Sequence, residues 1–160
     1  MTSANKTYIV GGLLLVLIGL IFGVYYAIFD EHQTLVAMGM AFAKSFLEAA
    51  GGNEAGVSES IEGFRANSFE YIREVSFHAH IIELGTLALI IPLFAHRIGW
   101  NDGRKLIIAR LFIVGSLVFT LGVLAQTLAM SALTQALAVG GSGLVIACVG
   151  ALVVGLFKGA

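Results

Sequence analysis

Tyr8-Ile-Val-Gly-Gly-Leu-Leu-Leu-Val-Leu-Ile-Gly-Leu-Ile-Phe-Gly-Val-Tyr-Tyr-Ala-Ile-Phe29 runs for 22 residues without a charge. A bilayer core of about 30 Å is crossed by a helix of about 20 apolar residues. The run follows Lys6, as the apolar region of a secretory signal would. It is longer than such a region, however, and no small-residue cleavage pattern follows it. It is therefore expected to be a retained transmembrane helix.

The rest of the chain carries the same message. Of 160 residues, 58% are hydrophobic and 12% charged, with a mean hydropathy of +0.94. Nine basic and 10 acidic side chains are too few to cover a soluble domain of this length. Cys148 stands alone, so no internal disulfide is available. One proline and 20 glycines suit membrane helices, where glycine lets backbones approach closely. A net charge of −1 leaves no footprint for nucleic acid.

Three further runs are long enough to span: 75–95, 106–127 and 133–157. Pro92 near the end of the second should loosen its last turn. Only Leu128-Ala-Met-Ser-Ala132 separates the third from the fourth, which predicts a tight antiparallel hairpin. Asn101-Asp102-Gly103 reads as a turn between the second and third. The expected fold is all-α: one membrane domain over residues 1–160, built as a four-helix bundle. Lys6, Arg97, Arg104, Lys105, Arg110 and Lys158 share one side of that bundle. The connection 30–74 holds only Lys44, Arg65 and Arg73 against Asp30, Glu31, Glu48, Glu54, Glu59, Glu62, Glu70 and Glu74. The positive-inside rule then puts both termini in the cytoplasm and the acidic connection outside, in a multi-pass protein of the inner or plasma membrane.

That connection is too long for a bare loop. Leu35, Met38, Phe42, Phe46 and Ala49 have helical spacing up to Gly51-Gly52-Asn53. A second helical stretch, with Ser58 or Ser60 as its N-cap, carries Ile61, Phe64, Phe69 and Ile72 into the second span. The connection is expected to be partly helical, either an amphipathic cap over the bundle or an outward extension of the first span. A docking surface for an extracytoplasmic partner is the alternative reading. Gly143, Ala147, Ala151 and Gly155 form a small-residue face in the fourth span, as Gly19 and Gly23 do in the first. Packing within the chain and oligomerisation both use such faces.

The second span opens Val75-Ser-Phe-His78-Ala-His80-Ile-Ile-Glu83-Leu-Gly85. Ionisable groups are expensive in hydrocarbon and mark functional positions. On a regular helix His78 and His80 diverge by about 200°, so the two cannot ligate one ion together. Glu83 shares the face of His80 and can fix its tautomer. His32 is expected near the same outer surface, with Glu31 and Glu74 at the rim. His78, His80, His32 and Glu83 are thus the candidate cofactor or metal residues. His96 belongs to the opposite end and reads as an interfacial anchor.

The stretch His78-Ala-His80-Ile-Ile-Glu83-Leu-Gly85 resembles the H-[AG]-H-x4-G helix of heme–copper oxidase catalytic subunits, in the cbb-type oxidase and nitric-oxide-reductase branches. The match covers about ten residues of 160. In that family the histidine pair projects to opposite faces and ligates two hemes. The resemblance implies a b-type heme on His78 or His80, with His32, Met130 or another subunit supplying the second ligand. The family's remaining histidines are missing, so copper–heme oxygen reduction by this chain alone is not implied. Glu83 stands where the motif has an apolar residue.

Three functions are compatible with this pattern. The first is a membrane subunit of a redox or oxidation complex, respiratory or oxygenase-type, holding heme b or copper or another transition metal. A cofactor-free accessory subunit, bound to other membrane subunits, is the second. The third is a small proton- or ion-conducting protein. A non-catalytic role within an enzyme complex fits better than an enzyme alone, since no nucleophile–base constellation or phosphate-binding loop is present.

Overall fold

The computed structural model describes residues 1–159. The element order is α1 (Ser3–Phe29), α2 (Glu31–Ala50), α3 (Glu54–Phe94), a 3-10 turn (Ala95–Arg97), α4 (Asp102–Leu128) and α5 (Ala132–Gly159). No strand occurs among the described residues. α1, α3 with its continuing turn, α4 and α5 are each long and apolar enough to cross a membrane. This is a helical membrane protein.

Side-chain oxygens fix where the helices begin. Thr2 accepts from the Asn5 amide, Asn53 from that of Gly56, and Asn101 from that of Arg104. Each satisfies a donor that a helix N-terminus leaves unpaired. The asparagines correct two sequence expectations. Asn101-Asp102-Gly103 is a helix start rather than a free turn. α3 starts at Glu54, so neither Ser58 nor Ser60 is its cap; the Ser60 hydroxyl instead donates to the Gly56 carbonyl at 2.8 Å inside the helix. Pro92 lies two residues before the end of α3, and the backbone tightens into the 3-10 turn just beyond it.

The connection after α1 is nearly all helix. Asp30 alone separates α1 from α2, and its amide still reaches the Tyr26 carbonyl at 3.0 Å. Gly51 and Gly52 then reverse the chain, Gly52 at φ 69°, where a side chain would be strained. α2 runs back along the N-terminal half of α3, with the Phe42 and Phe64 rings 5.8 Å apart. It packs on α3 and meets α1 at their junction, without lying across α4 and α5. The expected cap over the bundle is therefore an outward extension instead. α3, at 41 residues, is about 60 Å long, twice the thickness of a hydrocarbon core.

Glycines set the closest helix crossings. A Cβ on Gly12 would lie 2.7 Å from the Gly85 carbonyl oxygen, and one on Gly85 2.9 Å from that of Gly12. α4 and α5 cross through Gly115, Gly122 and Gly141, where added methyls would meet backbone atoms. The expected Gly143–Gly155 face divides: Gly143 looks into open space, whereas Gly155 receives the Trp100 ring. α4 is central, burying Ala109, Phe112, Ser116 and Thr120 completely. The Ser116 and Thr120 hydroxyls donate to carbonyls one turn back, at 2.8 and 2.9 Å. This satisfies them where no water is available.

At the end where α3 passes into α4, Trp100 donates to the Ala151 carbonyl at 2.8 Å. Lys158 lies 4.3 Å and Arg104 5.4 Å from its ring centre. Basic side chains thus gather on an indole at one end of the bundle, as at a membrane–water boundary.

Candidate functional site

His78 and His80 turn to different neighbours. His78 points at α1: its Nδ1 lies 2.8 Å from the Gly19 carbonyl oxygen. A carbonyl only accepts, so Nδ1 carries the proton and donates. Gly23 leaves the space that the ring occupies; a Cβ there would overlap the imidazole and come within 2.6 Å of Nδ1. The paired glycines of α1 are therefore the seat of His78. Spacing marks Gly19 and Gly23 as a close-packing face, but not what they receive.

His80 points at α4. Its ring centre is 5.2 Å from that of Phe119, and its Nδ1 lies 3.3 Å from Glu83 Oε2. At that length the contact is weaker than a well-formed bond. A carboxylate on Nδ1 leaves Nε2 as the free nitrogen of the neutral ring. The side chains are 43% exposed for His80 and 71% exposed for Glu83.

Depth and direction make that exposure consequential. A Cβ on Gly85 would lie 2.8 Å from Val16, and one on Gly19 2.8 Å from Ile81. Residues 16–19 are the middle of the uncharged Tyr8–Phe29 run, so Glu83 stands near mid-span. Ile81, Gly85 and Ala88 are buried against the bundle. Glu83 projects about 200° from Ile81, away from the core.

His32 lies exposed on α2, and the four candidate residues are not gathered around one point. Among the described residues no three His, Cys, Asp or Glu side chains converge as a metal site would require. A complete metal cage within one chain does not fit this arrangement. A single ligating imidazole would fit: His80 is laterally accessible, with its Nδ1 held by a carboxylate. His78 fits less well, being packed on Gly23 and bonded across to Gly19. Nearer the α1–α2 junction, the Tyr26 hydroxyl and Glu74 Oε2 are buried without hydrogen-bond partners. Glu74 is thus drawn into the α1–α3 contact rather than left at an open rim. No protein-family model, curated protein or solved structure matches the chain.

Proposed function

We propose that the chain is a subunit of a larger membrane assembly of the redox type, in which the outward face of α3 is covered by another membrane helix. One observation carries this: a carboxylate 71% exposed at mid-span, facing away from its own bundle. Hydrocarbon does not tolerate it uncovered, and such groups face a protein interior or a water-filled cavity. Around Glu83, the outward positions Ile72, Ser76, Ala79, Thr86 and Ile90 recur at steps of four and three. That is the seam a packed helix needs, with small and polar groups beside the carboxylate. On α5, Gly140, Gly143 and Gly150 also face open space and allow close approach. On α2, Met40, Phe46 and Leu47 are exposed, which suits an extracytoplasmic partner along 30–74.

Within such an interface His80 is the residue to hold a heme b iron, or copper or another transition metal, through Nε2. The adjoining subunit would supply the remaining ligand. The group, when bound, would supply one-electron transfer; this chain's part is to orient the imidazole through Glu83 and exclude water. The basic cluster around Trp100, with Lys6 and Arg110, supports an orientation with both termini in the cytoplasm.

The test is purification of the full chain from its own membranes in mild detergent, with particle mass and reduced-minus-oxidised spectra. The expected result is a particle larger than one 16.8 kDa chain, with a b-type band or stoichiometric metal lost in His80→Ala. A monomer overturns the assembly reading. An assembly with neither heme nor metal overturns the redox part and leaves the cofactor-free accessory subunit.

A further inference from the structure

Beside the His80 face, α3, α4 and α5 enclose a groove of about 360 Å³. Arg73, Gln126, Gln135 and Ser142 give it polar walls, and Phe119 and Val123 an apolar floor. Arg73 is the notable member. Its Nε is buried without a hydrogen-bond partner, and its guanidinium lies 5.0 Å from the Phe69 ring centre. The ion pairs among the described residues are Arg65–Glu62 and His80–Glu83, so Arg73 enters neither. Gln126 is 6% exposed, placing a second polar group in the same wall. Arg73 is half-buried with one donor left unpaired, and a planar fork of donors suits a phosphate.

We infer that this groove binds the phosphodiester of a membrane phospholipid. Arg73 would hold the phosphate, and Gln126 and Gln135 offer further polar contacts to the head group. One acyl chain would run down Val123 and Phe119. Depth supports this. Arg73 lies two residues before the apolar run of α3 begins, and Gln126 two before the end of α4. Both therefore stand at head-group level. Phe119 lies two turns below Gln126, about 10 Å into the acyl region. Local charge supports it too: on the acidic 30–74 segment, Arg73 is turned into a groove between spans instead of toward water. The site does not depend on the redox reading, because Phe119 separates it from His80.

Native mass spectrometry of the delipidated full chain reads this directly, using phosphatidylglycerol, the diacylglycerol with identical chains, and inorganic phosphate. Phosphatidylglycerol should bind at one per chain and about tenfold more tightly than diacylglycerol, as expected for charge-assisted hydrogen bonds. R73Q should erase that difference, while Lys44→Gln on the exposed face of α2 should preserve it. Should R73Q fail to fold by far-ultraviolet circular dichroism, Gln126→Leu reads the same wall and should weaken phosphatidylglycerol selectively. Failure of millimolar phosphate to displace the lipid identifies the source as a phospholipid. Displacement, with phosphate binding alone, keeps the phosphate site but assigns it to a free anion, overturning the lipid. Equal binding of the two lipids, or equal losses in R73Q and Lys44→Gln, overturns the site altogether.

Discussion

Gly23→Ala offers the sharpest test of the α1–α3 contact, because its sign should depend on His78. The new Cβ would overlap the His78 ring and stand 2.6 Å from Nδ1, so the imidazole must move by an ångström or more. That displacement breaks the 2.8 Å bond to the Gly19 carbonyl. An interhelical hydrogen bond in a membrane is worth about 0.6–1.7 kcal/mol. Overpacking a tight contact adds about 1–3 kcal/mol. Against this, alanine is favoured over glycine in a helix by about 1 kcal/mol. The net loss should be about 1–3 kcal/mol. In a His78→Ala background both penalties vanish and only the propensity remains, so Gly23→Ala should then stabilise by about 1 kcal/mol. The coupling is thus about 2–4 kcal/mol, readable from the four-protein cycle. Reversible unfolding in mixed micelles, followed by circular dichroism, measures it. Additive effects within about 0.5 kcal/mol would refute the seat proposed for His78.

Other consequences of the packing are as direct. Gly85→Ala and Gly12→Ala should each destabilise, since backbone oxygens cannot step aside, whereas Gly140→Ala, in open space, should stabilise by about 1 kcal/mol in the same unfolding assay. Trp100→Phe keeps the ring under Lys158 but removes the bond to Ala151, so stability should fall by about 0.5–1.5 kcal/mol in a thermal melt. Asn53→Ala removes the cap of α3 and should cost about 0.5–2 kcal/mol, with faster amide exchange confined to the residues after 53. Glu83→Leu should leave the isolated chain folded while releasing it from its assembly, as read by particle mass in mild detergent; retention of the full assembly would count against an interface on that face.

The spans were legible because length and apolarity are properties of a segment by itself. The α4–α5 hairpin followed for the same reason: three residues between two apolar helices leave no other path. The helical spacing of Ile61, Phe64, Phe69 and Ile72 already carried a helix into the second span, and α3 does continue unbroken from a charged half into an apolar half. Hydrogen bonding along the backbone is indifferent to that change of solvent, whereas composition registers it as a boundary. The cap of α3 was misplaced because Ser58, Ser60 and Asn53 all suit the role, and only the Gly51–Gly52 reversal makes Asn53 the first residue able to take it. Arg73 carried no signal beyond its charge. Its meaning arises from Gln126 and Gln135, brought beside it by two separate helices.

The divergence of the two histidines follows from helical geometry, but what each does depends on the helix it meets. A histidine facing Gly19 and Gly23 finds a carbonyl and a space without side chains, and becomes a strut between α1 and α3. One facing Phe119 finds an apolar ring and no acceptor, so its nearest partner is Glu83 on its own helix. The carboxylate, fixed three residues along, cannot also turn inward, since Ile81 and Gly85 already fill that direction. The bundle therefore satisfies His78 internally and leaves the His80–Glu83 pair incomplete. In the proposed assembly a neighbouring membrane helix completes it, since groups of this kind face a protein interior or a water-filled cavity.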